Sequence, residues 1–392
     1  SGRLAIAAAG IGVASLPQRW GASSVIIIGI AGVVGVLVAM LAMAAGFQAT
    51  LNQTGNDRTA IILRGGSMAE TNSVITRDQV PLIGALPGIA KGADGKPLIS
   101  PELSQVVNLP SKSDHTDANV QLRGVGPAAW ALRGNVKIVA GRTFGSGLRE
   151  LVVGCGARAK FVGLDVGSHI KLGRQEWTVV GEFVSGDSHA SELWADAEVV
   201  ASTYNRSAFQ SVTVRLDGKN GMRQLKAGLA ADPQLKLDAM TTHDYYAKQS
   251  EGLTTLIEIL GKVIGAIMAI GAVFGALNTM YAAVATRSRE IATLRAIGFG
   301  GLPVVVAVML ETMLLALAGG AIGALVAYVI FNGLDASTMA SGSVGKLSFS
   351  LQVTPALVWT GLKWALAIGF IGGLFPAMRA ARAPVATALR EL

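Results

Sequence analysis

Four long apolar runs constrain this chain more than anything else in it. Residues 24–45 carry no charge, and residues 257–285, 302–331 and 354–375 carry very few. A hydrocarbon core about 30 Å thick takes about 20 apolar residues of helix. Each run is therefore read as a membrane span. Composition agrees, since 51% of the 392 residues are hydrophobic and only 15% are charged. The formal net charge of +8 does not indicate nucleic acid. Arg3, Arg19, Arg287, Arg289, Arg295, Arg379, Arg382 and Arg390 all lie beside apolar runs, which is the positive-inside pattern of a membrane protein. Four spans then put both termini on the arginine-rich, cytoplasmic face. Membrane lipid is the expected surrounding, and no nucleic-acid partner is expected.

The spans divide the chain. Residues 1–22 include an apolar stretch too short to cross a bilayer, followed by Pro17, Arg19 and Trp20, and read as an interfacial elbow helix. Span 1 covers 23–47 and is followed by a large extracytoplasmic domain at 48–252. Span 2 is 253–285, a cytoplasmic helix follows at 286–301, and span 3 is 302–332. A polar outer loop at 333–353 precedes span 4 at 354–376, and a basic cytoplasmic tail covers 377–392. Within span 2, Glu258 and Lys262 are spaced to pair along a helix. That suits either a helix projecting beyond the bilayer or an ordinary interfacial start.

The domain at 48–252 is long enough for a core of its own. Strands are expected at 60–64, 98–109, 119–125, 211–216 and 235–239, with helices at 76–86, capped by Thr76, and at 221–231. Together they suggest a split β-α-β arrangement. The segment 127–210 would be inserted in it, strand-rich and with a hairpin at Gly173-Arg174.

The loop after span 2 is unusual. In RSREIATLRAIGF, residues 287–299, Ile291, Leu294 and Ile297 recur at helical spacing, while Arg287, Arg289, Glu290 and Arg295 lie mostly off that stripe. This is an amphipathic helix for the membrane surface. The run from Glu290 to Gly298 resembles the coupling-helix motif of the FtsX-like, MacB-type (type VII) ABC transporter permeases. Glycine and valine positions such as Gly141, Val152, Val153, Gly154, Gly163 and Gly181, and the small-residue, basic tail, are similar to that family as well.

The resemblance implies a four-helix membrane protein with an α+β extracytoplasmic domain between helices 1 and 2, a ferredoxin-like lobe carrying a β-rich insertion. It implies a permease subunit in a bacterial inner membrane. Arg287, Arg289, Glu290, Ile291, Leu294, Arg295, Ile297 and Gly298 would dock on a cytoplasmic ABC ATPase. A second permease copy, identical or not, would complete the pair, and a periplasmic adaptor or membrane-fusion protein would be a further partner. ATP and Mg would be bound by the ATPase, with no cofactor in this chain. The work would be export or extraction of a hydrophobic cargo such as a lipid, lipoprotein or drug. The alternative is an FtsX-like regulator that controls a cell-wall hydrolase without moving cargo.

Small-residue pairs in the spans, including Gly271/Gly275 and Gly319/Gly323, suit close helix packing. Glu311 in span 3 is costly in a membrane unless paired or wet. It reads as a packing or gating residue; the sharper alternative, proton relay, lacks a second acidic residue in the spans. No Walker A sequence is present, because Gly95-Lys96 is followed by Pro97. His115, His169, His189 and His243 show no ligand spacing, and Cys155 is the single cysteine. The chain is expected to be no enzyme and to hold no metal.

Overall fold

The computed structural model describes residues 20–286, 288, 291–293, 300–339 and 346–382. They form two compact units: one holds the chain up to Ala45, Leu256–Leu334 and the chain from Leu351 on; the other holds Gly46–Thr255 and Asp335–Ser350.

Four helices are long and apolar enough to cross a membrane. They are α1 (Trp20–Thr54), α7 (Thr242–Thr286), α8 (Gly301–Phe331) and α9 (Pro355–Arg382). Two run well past the spans expected from hydropathy: α1 has 35 residues and α7 has 45. Polar residues at the far ends of both stay helical because helix formation needs only continuous backbone hydrogen bonding, whereas hydropathy counts apolar side chains. In α7, Lys262 Nζ meets Glu258 Oε2 at 3.3 Å. Helix α9 continues to Arg382 through Pro376 rather than stopping there, as membrane helices tolerate proline when neighbours satisfy the freed backbone. The Arg379 guanidinium lies 5.5 Å over the Tyr281 ring.

In the helical unit, glycines set the closest approaches. A Cβ on Gly319 would lie 2.8 Å from Ile27 O, and one on Gly323 would run into Ala31 O. Gly361 faces Val34 and Val38, Gly373 faces Thr312, and Gly320 faces Ala365. Helix α8 thus packs closely on α1 and α9, as small-residue interfaces permit.

The other unit has two lobes. The first is built from β1 (Thr59–Arg64), α2 (Gln79–Gly84), the start of β3 (Ile99–Pro110), β11 (Ser211–Arg215), α6 (Gly221–Ala231) and β12 (Leu237–Thr241). Its strands lie in the order β12-β1-β11-β3, all antiparallel, which is the ferredoxin-like arrangement. Ala60, Ile62, Val212, Val214 and Leu225 form its core. Helix α2 starts at Gln79, and Thr76 belongs instead to the short strand β2 (Ile75–Thr76). Pro81 explains the difference: it lacks an N–H and fits only in the first turn, so the helix must begin just before it.

The second lobe departs inside β3. Residues Ile99–Glu102 pair with β11, and Leu103–Pro110 pair with β4 (Asp117–Val125). The insertion therefore begins at Leu103, not at residue 127, because one unbroken strand changes partners midway. From β4 the sheet passes to β9 (Glu192–Asp196), β6 (Glu150–Gly154), β8 (Gln175–Val184) and β5 (Lys137–Gly141), with β7 (His169–Leu172) also on β8. The β7–β8 hairpin turns at Gly173-Arg174, with Gly173 at φ +62°. Strand β9 escaped the sequence reading. Trp177, Leu151, Val153, Leu193 and Phe161 fill this lobe.

The segment expected as an outer loop is a hairpin, β13 (Asp335–Met339) with β14 (Lys346–Ser350). It packs within the lobed unit: Phe349 is edge-on to Phe47 at 5.5 Å, and Lys160 Nζ donates to Ser348 Oγ at 2.5 Å. Ser, Thr and Lys stand between the few apolar residues of these two strands, and so polar a stretch reads as loop.

Candidate functional site

Most of the coupling stretch, namely Arg287, Arg289, Glu290, Leu294, Arg295, Ile297 and Gly298, lies outside the described residues. Ile291 is helical and half-buried, and Ala292 beside it is buried. Glu311 is buried in α8 next to the fully buried Thr312, whose hydroxyl donates to Val308 O at 2.9 Å. Gly319 and Gly323 are at close helix contacts. Gly271 and Gly275 are not: a Cβ on either meets nothing within 4 Å. They lie on an open side of α7, and Gly261 and Gly265, which face Met40 and Leu37, make the contact instead.

A second site was not expected from sequence. Where β3 changes partners, Arg123 of β4 is buried among three carboxylates. Its Nη1 lies 3.0 Å from Glu70 Oε1 and 3.2 Å from Glu102 Oε2, and its Nε and Nη2 reach Glu192 at 3.0 and 3.1 Å. Arg133 clasps Glu102 with two 2.8 Å hydrogen bonds and stands over the Trp194 ring. Trp194 Nε1 donates to Glu192 at 2.7 Å, and Ser211 Oγ donates to Glu70 at 2.5 Å. Strands from both lobes therefore meet on one guanidinium.

Electrostatics follow from that packing. Burial by itself pushes the Glu102 carboxyl up, but the guanidinium groups of Arg133 and Arg123 outweigh it and hold the pKa at about 2. Glu192 is likewise held below the usual carboxylate range, burial being overcome by Arg123 and by His189. Burial raises the Tyr245 and Tyr246 hydroxyls beside the cluster. Every carboxylate here is engaged by a cation, so the arrangement is built to hold its members in place.

The junction also takes in the chain leaving α1 and entering α7. Thr54 Oγ1 donates to Ser188 Oγ at 2.9 Å, and the Ser188 N–H donates to Thr54 at 3.1 Å. Ser188 belongs to a short turn in which Asp187 Oδ1 meets His189 Nδ1 at 3.1 Å. At the start of α7, Thr242 Oγ1 donates to Asn56 O at 3.0 Å and lies 2.6 Å from Thr59 Oγ1. Gly55 is fixed between them, since a Cβ there would run into the Thr242 backbone. The Glu70 N–H donates to Tyr245 OH at 3.1 Å. A cavity of about 20 Å³ lies between Thr54, Arg133, His189, Thr242 and Tyr246, room for one water. The signal for this site was present in sequence as charged residues inside apolar strands, at Glu102, Arg123 and Glu192. Their mutual contact was not, because they are distant in the chain.

Comparison with known proteins gives the family. A model of the MacB-like periplasmic core domain matches residues 23–232, and a model of the FtsX-like permease C-terminal region matches residues 262–385. The chain belongs to the MacB/FtsX-like ABC transporter permease family. Among curated relatives, the macrolide export ATP-binding/permease protein MacB of Bordetella avium is 26% identical over 315 residues, covering 75% of this chain and 46% of the relative. The uncharacterized ABC transporter permease YknZ of Bacillus subtilis is 26% identical over 208 residues, covering 51% of this chain and 49% of the relative. The chain thus spans about half the length of these relatives. The crystal structure of the periplasmic region of MacB from Actinobacillus actinomycetemcomitans aligns over 48% of this chain and 91% of its own, at 15% identity and TM-score 0.39. As a MacB/FtsX-like permease, the chain is a membrane-embedded protein with an α/β domain between its first and second membrane-length helices.

Proposed function

We propose that this permease converts nucleotide-driven movement of a partner ABC ATPase into movement of the two-lobed domain, and so exports or extracts a hydrophobic cargo such as a lipid, lipoprotein or drug. The observation that carries the reading is that the last turn of α1 and the first of α7 are both hydrogen-bonded into the junction, through Thr54 and Thr242. Each helix is continuous, so a displacement along it arrives at residues tied to the two lobes. The ATPase supplies ATP and Mg chemistry, and the segment 286–301 is the surface that meets it. The membrane is the bacterial inner membrane, with both termini cytoplasmic.

A second copy of the chain is the proposed partner in the bilayer. Leu256, Leu260, Val263, Ile267, Ile270 and Phe274 of α7 are all exposed and spaced alternately by four and three residues. That spacing makes a straight seam for a facing helix.

The test is made on the coupling segment. Leu294→Ala removes apolar contact and Glu290→Lys reverses a docking charge. Both are expected to lower cargo- or permease-stimulated ATPase activity and co-purification of the ATPase, with the two-lobed domain still folded. Full coupled activity in both variants refutes the reading.

A further inference from the structure

Helix α9 carries a single charge within its apolar length. Lys363 is the only charged residue between Pro355 and Met378, and it is exposed. It lies deep in the bilayer zone. Gly361, two residues before it, sits against α1, where a Cβ would come within 2.8 Å of Val34 and 2.9 Å of Val38. Those valines stand in the middle of the uncharged run 24–45. Gly361 and Ala365, two residues to either side of Lys363, are both buried. At about 100° per residue, Lys363 therefore faces away from the other three helices.

A cation at that depth is costly unless it is paired or reaches water. Among the described residues no carboxylate or other acceptor engages its ammonium. The acidic residues described in the helical unit are Glu258, which Lys262 meets at 3.3 Å, and Glu311, which is buried in α8. A second copy thus brings no spare carboxylate to this face, and two α9 faces meeting would set one ammonium against another. The seam proposed for a second copy lies on α7. What remains around an outward face of a membrane helix is lipid, and the anion that lipid supplies is phosphate. The direction of the side chain agrees. Helical side chains lean toward the N-terminus, here the end that joins the two-lobed unit. Trp359 is one turn that way on the same face, 59% exposed. Tryptophan settles at headgroup level, and a lysine stem reaches along apolar surface toward it.

We propose that Lys363 and Trp359 form a binding site for an anionic phospholipid, whose phosphate is drawn below its usual level to meet the ammonium. The uncompensated charge selects a headgroup with no cation of its own, because a zwitterionic headgroup already pairs its phosphate internally. The leaflet on the side of the two-lobed unit is indented beside α9 as a result. This site acts on membrane lipid whether or not the coupling segment meets an ATPase, so it stands apart from the transport reading.

The experiment uses the full chain in phosphatidylcholine nanodiscs containing a minority of phosphatidylglycerol with a photoreactive diazirine on its headgroup. After irradiation, mass spectrometry maps the modified residues. Modification is expected within 359–367, a depth that a headgroup at its ordinary level does not reach. The same diazirine on phosphatidylcholine should modify this segment at least about tenfold less. Lys363→Gln should lower the phosphatidylglycerol signal by a similar factor, and Lys363→Arg should keep it. Labelling near Arg379, at the other end of α9, should be unchanged in both variants. Excess inorganic phosphate should not compete, because it brings no acyl chains to the site. Absence of labelling at 359–367, equal labelling by the two lipids, an undiminished signal in Lys363→Gln, or displacement by free phosphate overturns the proposal. So do disulfide-linked dimers from Lys363→Cys in a Cys155→Ala background, which would give this face to a second copy. The comparison of the two lipids needs no variant, so it decides the matter even where Lys363→Gln fails to fold.

Discussion

Arg123 is the residue on which the two lobes depend. Its guanidinium satisfies Glu70, Glu102 and Glu192 at once, and all four side chains are almost wholly buried. Such a network specifies geometry more than it adds stability, but removing one partner strands the others. Arg123→Met is therefore expected to destabilise the lobed unit by about 3–5 kcal/mol, read as a lower denaturation midpoint in the full chain. Arg123→Lys should recover little of it, because an ammonium cannot make the two-pronged contact with Glu192. Acid should act on the same residues. Glu102, Glu192 and Asp187 are held below their ordinary values in the folded state. The unfolded chain then binds more protons, so stability is present above about pH 4.5 and falls as pH drops toward 2. Glu102 alone accounts for about 3 kcal/mol of that loss. Tryptophan fluorescence against pH, with Trp194 inside the junction, follows it directly.

At the level of elements, the contrast among glycines shows how far a small-residue pattern can be trusted. Gly271 and Gly275 have the same spacing as Gly319 and Gly323, yet only the second pair is pressed against a neighbouring backbone. Gly323→Leu should therefore separate α8 from α1 and lower the thermal stability of the detergent-solubilised protein. Gly271→Ala should be neutral or slightly stabilising, since alanine is the better helix former by up to about 1 kcal/mol. Equal effects of the two substitutions would contradict the packing of α8. The hairpin of β13 and β14 makes a related point. Its alternation of Ser and Lys with apolar residues was legible only as a polar loop, while Phe349 against Phe47 ties it to the lobed unit.

For the molecule as a whole, pairing of two copies through α7 is the assembly to test. In a Cys155→Ala background, Ile267→Cys lies on the exposed seam and should give disulfide-linked dimers in membranes on mild oxidation. Gly265→Cys, turned toward Leu37 and Trp364, should not. Crosslinking from both positions, or from neither, would count against the seam.

Hydropathy and charge were enough to find four membrane-length helices and the large domain after the first. These properties are local, written in consecutive residues, and a bilayer reads them in the same way. The ferredoxin-like order of strands was also within reach, since each strand and helix carries its own period. Three things were out of reach for one reason. That β3 serves both lobes, that Arg123 gathers Glu70, Glu102 and Glu192, and that β12 is left as a free edge all depend on pairings between segments far apart in the chain. Such pairings are chosen by which faces are buried together, and no stretch of sequence records that alone.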